Sequence, residues 1–254
     1  EVETPVMSHE SVVDAHLDPF VVDGQYYLQT SPELGMKRLL TAGAKTIYQI
    51  TRAFRRGEAG QLHNPEFTMV EWYCVGDRYH DQMDFVEALF RQLTGEFASS
   101  PVPDAPFRRR TYDQVFHDIM GEPVLYKTAA QLRELAARQG ITPPETLGSE
   151  ERDVSLNLLL AEGGQPQLGK SAPEFVYDYP ATQAALARID PAQPDIAQRF
   201  ELYVGGLELC NGYDELTDAD ELRRRIEHES QRRAAEGLPP LPPPDRMAPQ
   251  PNYR

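Results

Sequence analysis

The chain has 254 residues, enough for one sizeable hydrophobic core, and its formal net charge of -15 at pH 7 argues against a broad basic surface for nucleic acid. Two cysteines are too few for a disulfide framework, and the sequence shows neither a signal peptide nor the roughly 18 consecutive apolar residues of a membrane span. These features predict a cytoplasmic protein without a membrane segment, although acidity can also serve only to keep a protein soluble.

The first hundred residues predict two hairpins and two helices. Four segments have the composition and alternation of strands, namely residues 17–22, 25–30, 45–54 and 65–74. Asp23-Gly24 is a typical two-residue turn for the first hairpin, and a polar loop closes the second. One helix is expected from Ser31, as its N-cap, to Gly43, with Pro32 in its first turn. The other is expected over 80–93 and ends at Gly95.

The middle of the chain, residues 111–165, is predicted to be a helical insertion packed on a sheet. A capping box pairs a threonine with a glutamine three residues later and marks the start of a helix. Two such boxes occur in this block, Thr111 with Gln114 and Thr128 with Gln131. A third helix is expected over about 149–162. The block carries no other chemical signal.

The last third predicts strands followed by one charged helix. The strands are residues 174–179, 199–204 and 207–211, the last two joined by a Gly205-Gly206 turn. The helix is expected over 218–236 with Thr217 and Asp220 as its cap, and its mixed charges indicate a solvated face. Strands that pair as hairpins around a helical block favour an α+β fold with an antiparallel sheet flanked by helices. The predicted domain is 1–237, followed by an irregular proline-rich tail over 238–254.

The segment from 51 to 73, TRAFRRGEAGQLHNPEFTMVEWY, has the most specific chemistry. The chain lacks both G-x-G-x-x-G and the Walker motif, so the usual phosphate-binding loops are missing. Here an arginine, Arg55, ends one strand, and the next strand carries Phe67, Glu71 and Tyr73 on one face. A guanidinium fits phosphate oxygens with a planar fork of donors, whereas the carboxylate and the phenol suit a second, cationic substrate.

Several segments together resemble the catalytic domain of class II aminoacyl-tRNA synthetases of the lysyl type, and within it the tRNA-independent ligases that attach (R)-β-lysine to elongation factor P. The segments are EVETPVMS at 1–8, TSPELGMKRLL at 30–40, FRRGEAGQLHNPEFTMVEWY at 54–73, PEFVYDYPATQAALA at 173–187 and FELYVGGLELCNGYDELTD at 200–218. They resemble the strand of motif 1, a substrate-contacting turn, motif 2, a further strand and the acidic strand before motif 3.

The chain also departs from this family. Nothing after Gly237 resembles motif 3, the helix half of motif 1 has no counterpart, and Gly57 precedes Glu58 where motif 2 normally has an acid. The expected fold is therefore a class II synthetase-like α+β sheet that lacks the usual motif 3 strand and helix.

The resemblance implies that a lysine-type amino acid, lysine or β-lysine, is activated with ATP and Mg²⁺ as an adenylate and transferred to a lysine side chain of elongation factor P. It implies catalytic roles for Arg55 and Glu208. Implied ATP contacts are Arg55, Gly57, Glu58, His63, Asn64, Phe67, Glu208 and Leu209. Expected amino-acid contacts are Ser31, Pro32, Glu33, Glu71, Tyr73 and Glu215. Magnesium is assigned to Glu208 and Glu215, because Mg²⁺ prefers hard oxygen ligands.

Two other functions fit the same residues. The chain could be the core of a lysyl-tRNA synthetase, although Trp72 before Tyr73 favours the ligases and nucleic acid is not an expected partner. It could also be a synthetase-like module that binds an amino acid or a protein without catalysis, which the missing motif 3 favours. A homodimer is typical of the family. Glu208 is expected on a central strand, where a carboxylate requires a partner.

Overall fold

The computed structural model describes residues 1–9, 11, 17–97, 105–142, 152–235 and 237. By its internal contacts the chain forms two compact units, which are unit 1 (Glu1–Gly76 with the residues from Asp218) and unit 2 (Asp77–Thr217). The tail predicted over 238–254 lies outside the described residues, as does the start of the helix predicted from residue 149. The single domain over 1–237 and the insertion over 111–165 stay predictions.

Mixed α and β structure fills both units, in agreement with the predicted α+β class. The strands are β1 (Met7–Ser8), β2 (Val21–Val22), β3 (Tyr26–Leu28), β4 (Thr46–Phe54), β5 (Glu66–Cys74), β6 (Arg108–Thr111), β7 (Glu174–Pro180), β8 (Ile189–Asp190), β9 (Gln193–Val204) and β10 (Leu207–Tyr213). The helices are α1 (Glu33–Thr41), α2 (Tyr79–Phe97), α3 (Tyr112–Met120), α4 (Ala129–Arg138), α5 (Arg152–Leu159) and α6 (Ala219–Ala235).

Unit 1 contains two antiparallel sheets, one with the strand order β1-β3-β2 and one formed by β4 and β5. The predicted turn between β2 and β3 is confirmed, since Asp23 and Gly24 both have positive φ angles, 52° and 66°, as a tight hairpin turn requires. The predicted long hairpin is confirmed as well, because β4 and β5 pair along their whole length. Buried Gln29 links the two sheets by donating a 2.7 Å hydrogen bond to the carbonyl of Arg52.

Two predicted helix boundaries differ from the structure. Helix α1 begins at Glu33 with Pro32 as its N-cap, although the Ser31 hydroxyl still accepts a 3.1 Å hydrogen bond from the Glu33 N–H. Helix α2 runs through Gly95 to Phe97. A glycine inside a helix costs only about 1 kcal/mol relative to alanine, so it does not by itself end a helix.

The C-terminal helix α6 has a different cap from the predicted one. The Asp218 carboxylate accepts 2.9 Å hydrogen bonds from the backbone N–H groups two and three residues further on, so Asp218, and not Thr217, caps the helix. A carboxylate here also compensates the positive end of the helix dipole. Among the charged residues described on this helix, Arg233 departs from the expected solvated face, because it is buried and pairs with Asp18 at 2.7 Å.

Unit 2 is built on one five-stranded sheet with the order β10-β9-β7-β6, in which β8 also pairs with β9. Its pairs are antiparallel, as predicted, except that β6 and β7 run parallel. Strand β10 pairs only with β9 in the described part of the chain and is an edge strand, so the central position expected for Glu208 is wrong. Strand order depends on long-range pairing, which a single sequence does not reveal.

Helices α3, α4 and α5 cover this sheet and form the main core with it. Both predicted capping boxes are present, at Thr111 and at Thr128. The largest fully buried side chains of this core are Tyr112, Phe116, Leu132, Leu135, Leu156, Leu159, Tyr179 and Tyr203. Within the described ranges, no helix is both long and apolar enough to cross a lipid bilayer.

Candidate functional site

The β4–β5 hairpin presents two different faces. Alternate residues of a strand lie on opposite faces, and the pairing register places Glu71 opposite Gln49, and Tyr73 opposite Ile47. Gln49 and Ile47 are buried, whereas Tyr48 on the other face is 44% exposed. The inward face of β5 thus carries its chemically active side chains, as the alternation predicted.

An acidic cluster forms on this inward face and consists of Ser31, Glu33, Lys37, Glu71 and Tyr73. The Ser31 hydroxyl donates to Glu71 Oε2 at 2.6 Å, and the Tyr73 hydroxyl donates to Glu71 Oε1 at 2.6 Å. Beside them, Lys37 Nζ lies 2.5 Å from Glu33 Oε1. The structure therefore brings together four of the predicted amino-acid contacts, and it adds a lysine that the sequence interpretation missed.

The Glu71 carboxyl lies in an environment that disfavours its charge. Burial raises its pKa above the ordinary value, and the nearby charge of Glu33 raises it further. The hydrogen bonds from Ser31 and Tyr73 and the charge of Lys37 lower the pKa without outweighing burial. A buried carboxylate in this state gains most from a cationic partner, because the partner offsets both the desolvation and the repulsion.

Arg55 follows β4 and lies against the next strand. Its guanidinium carbon is 5.1 Å from the centre of the Phe67 ring, its Nη1 is 3.8 Å from Glu58 Oε2, and its Nε donates a 3.4 Å hydrogen bond to the Thr30 carbonyl. Three predicted ATP contacts therefore lie together. The guanidinium is stacked and partly exposed, a geometry that suits an anionic ligand.

The loop of the hairpin explains one departure from the family pattern. Gly57 has a φ of 86°, a conformation that favours glycine, so an acidic residue at this position would be strained. His63 and Asn64, two further predicted ATP contacts, are exposed in the same loop. Pro32, a predicted amino-acid contact, is buried at the start of α1.

In unit 2, β10 carries Glu208 on an exposed edge. Glu208 pairs with Tyr203 of β9, and the register shifts immediately afterwards, so that Leu209 is 51% exposed. Glu215 follows the strand in an antiparallel bridge to Ala187, and its Oε2 atom is buried. These three predicted residues thus lie at one sheet edge and its continuation.

Two buried networks support this edge, and the sequence interpretation missed both. Asp214 is 5% exposed and accepts 2.5 Å hydrogen bonds from Arg78 Nε and the Tyr79 N–H. Because it directly precedes Glu215, it fixes the backbone there. The sequence feature that could have indicated this network is the pair of acidic residues at 214–215.

The second network centres on Glu201, which is buried on β9. It accepts hydrogen bonds from the hydroxyls of Tyr179, at 2.6 Å, and Tyr203, at 2.5 Å, and it pairs with Arg199. Arg199 in turn donates a 3.1 Å hydrogen bond to Asn211 of β10. The sequence feature that could have indicated this network is the alternation of charged and apolar residues along β9.

A magnesium site built from protein alone is not seen, since the described residues contain no group of three or more His, Cys, Asp or Glu side chains arranged to hold a metal ion. Mg²⁺ nevertheless binds in many proteins through one or two carboxylates, with phosphate oxygens and water completing its shell. Glu208 and Glu215 carry carboxylates of this chemical type.

Comparisons with known proteins identify the family of this chain. The family of tRNA synthetases class II (D, K and N) matches residues 1–238. An elongation factor P–(R)-beta-lysine ligase from Vibrio atlanticus is 42% identical over 254 residues, which cover 95% of this chain and 75% of that protein. The ligase of the same name from Erwinia tasmaniensis is 44% identical over 251 residues, 95% of this chain and 74% of that protein. The chain belongs to the class II tRNA synthetase family of the D, K and N type, as its motifs predicted.

Proposed function

We propose that the protein is an ATP-dependent ligase that activates a lysine-type amino acid, β-lysine, and transfers it to a lysine side chain of elongation factor P. The relatives that bear this function in their names are 42–44% identical over 95% of the chain. The acidic cluster is the observation that carries the proposal, because a cationic amino acid is the ligand that its buried carboxylates favour. The elongation factor as substrate would place the reaction in the cytoplasm.

The amino acid is held through its ammonium groups in this proposal. One ammonium group donates hydrogen bonds to the Glu71 carboxylate. The hydroxyls of Ser31 and Tyr73 fix the orientation of its two oxygens. Glu33 lies beside Glu71 in the acidic cluster, Glu215 is the carboxylate proposed for the other ammonium group, and Pro32 contributes through the backbone. Carboxylates held in place before the substrate arrives lose little entropy on binding, which favours affinity.

ATP is held by a separate set of groups. Arg55 binds the α-phosphate and stabilises the charge that develops there, and Phe67 offers a ring face for the adenine. The remaining contacts proposed for ATP are Gly57, Glu58, His63, Asn64, Glu208 and Leu209. Mg²⁺, held by Glu208 and Glu215, would neutralise phosphate charge when it is bound.

The reaction has two steps. The carboxylate of the amino acid attacks the α-phosphorus of ATP, so that a carboxylate–phosphate bond forms and pyrophosphate leaves. The neutral amine of the protein lysine then attacks the carbonyl carbon of the adenylate, the C–O bond to AMP breaks, and the amide nitrogen releases one proton to water as AMP leaves. Arg55 contributes electrostatically to the first step, since its donors are positioned before the charge develops.

ATP–pyrophosphate exchange tests the first step directly. We expect exchange with lysine and more with (R)-β-lysine, but little with norleucine, which has no distal ammonium group. Mass spectrometry of elongation factor P then detects the transferred residue. No exchange with any diamino acid would refute the proposal, and charging of a lysine tRNA in place of the protein would favour the synthetase alternative. Binding of β-lysine without exchange would indicate the non-catalytic module.

A further inference from the structure

One member of the acidic cluster, Lys37, has no role in the proposed reaction, although it lies among the groups that would bind the substrate. It is placed one helical turn after Glu33 on α1, and its ammonium lies 2.5 Å from Glu33 Oε1. On an exposed helix such a pair contributes little. Here the side chain of Glu33 is only 10% exposed, and that of Lys37 is 29% exposed. The pair is therefore part of the cluster and not of the outer surface.

The charges of the cluster limit what it can bind. Glu33 and Glu71 supply two negative charges when ionised and Lys37 supplies one positive charge, which leaves one net negative charge. From the elements packed around Glu71, α1 contributes Glu33 and Lys37, β5 contributes Tyr73, and the residue opposite on β4 is the neutral Gln49. One substrate ammonium thus neutralises the charges of these three side chains, and a second ammonium would be bound by groups outside the cluster.

We propose that Lys37 is a positioning residue of the amino-acid site, which pairs with Glu33 beside the Ser31–Glu71 hydrogen bond and so leaves Glu71 as the acceptor of a single substrate ammonium. This inference rests on the proposed function. Without Lys37, the cluster would lose a positive charge that lowers the pKa of Glu71, whereas the charge of Glu33 that raises this pKa would remain, so Glu71 would take up a proton more readily. A protonated Glu71 cannot form an ion pair with an ammonium group.

The first experiment needs no substrate. The Glu71 carboxyl is titrated by ¹³C NMR in the wild-type protein and in Lys37→Met, Lys37→Arg and Arg38→Met, with Glu71→Gln to assign the signal. We expect the pKa of Glu71 to rise in Lys37→Met and to stay at the wild-type value in Lys37→Arg. Arg38 is exposed on the same helix, so Arg38→Met removes one positive charge, as Lys37→Met does, and serves as its control. It should leave the titration of Glu71 unchanged. An unchanged titration in Lys37→Met, or an equal shift in Arg38→Met, overturns the inference.

The second experiment measures pyrophosphate exchange from pH 6 to 8.5. In Lys37→Met the KM for lysine should rise relative to wild type at the acidic end, by up to about tenfold for each unit by which the titration of Glu71 shifts, while kcat and the KM for ATP change less than about twofold. An unaltered lysine KM, or a parallel loss of all three constants, refutes a positioning role. If the wild-type protein shows no exchange while the Glu71 titration shifts as expected, the proposed function fails and the charge coupling stands.

Discussion

Replacing Glu71 by glutamine separates the contribution of this residue to stability from its contribution to binding. Glutamine has nearly the same shape and removes only the charge. Its carbonyl can still accept the hydrogen bond from Tyr73, and its amide can donate to the hydroxyl of Ser31, so both hydroxyl groups keep a partner. The effect of the substitution therefore reports on the buried charge.

The charge of Glu71 should destabilise the unliganded protein. Because the pKa of Glu71 is raised above its ordinary value of 4.5, the residue favours folding when protonated, and this contribution is lost as the pH rises through the folded-state pKa. Glutamine has no such loss. Glu71→Gln should therefore raise the free energy of unfolding at pH 7.5, by about 1.4 kcal/mol for each unit by which folding raises the pKa of Glu71. The gain should shrink towards pH 4.

The same substitution should weaken amino-acid binding. Removing one partner of a desolvated charge pair costs roughly 2–5 kcal/mol, which is about a 30-fold or larger rise in the KM for lysine. The KM for ATP should change little, since Arg55 and Phe67 are unaltered.

Urea unfolding at pH 7.5 and pH 4 measures the first effect, and pyrophosphate exchange with varied lysine measures the second. Glu66→Gln is the control, because Glu66 is on the same strand, is 57% exposed in its side chain and lies 3.8 Å from Arg52. It should change neither quantity appreciably. A less stable Glu71→Gln protein at pH 7.5 would contradict the argument from burial, and an unchanged lysine KM would remove Glu71 from the binding site.

Three further substitutions, the last with a matched control, probe other parts of the structure. Arg55→Lys keeps the charge but loses the planar donor fork, so kcat for exchange should fall on the order of 100-fold, and a near-normal kcat would exclude bidentate phosphate contact. Glu208→Gln should raise the Mg²⁺ concentration for half-maximal exchange about tenfold, and an unchanged requirement would mean that Glu208 is not a ligand. At Gly169, with a φ of 64°, a Cβ would lie 2.3 Å from the Tyr203 carbonyl oxygen, so Gly169→Ala should cost at least about 3 kcal/mol of unfolding free energy. Gly140→Ala, at a φ of 71° in open space, should cost only about 1 kcal/mol, and equal urea midpoints for the two variants would refute the steric argument.

Much of the candidate site was predictable because its parts are local in sequence. Alternation along β5 placed Phe67, Glu71 and Tyr73 on one face, and the pairing register agrees. The pairing of Glu33 with Lys37 was also visible, since residues four apart meet on a helix, yet nothing in the sequence indicated that this pair is largely buried.

The buried networks of unit 2 could not be predicted in the same way. Asp214 receives hydrogen bonds from a segment about 135 positions earlier in the chain, and Glu201 is bonded to a tyrosine 22 positions away. Charged residues on a strand usually indicate a solvent-facing side, and only the packing of helices on the sheet places Glu201 inside.

The sequence by itself determined the features that depend on neighbouring residues. The Asp23-Gly24 turn, the two capping boxes and the Gly205-Gly206 turn follow from backbone sterics and hydrogen bonds within a few positions. Tertiary structure alone decided the parallel β6–β7 pair, the edge position of β10 and the bond between Ser31 and Glu71, which are 40 positions apart. Such contacts form between segments that are far apart in the sequence. The free energy that selects them comes from tertiary packing and not from local conformation.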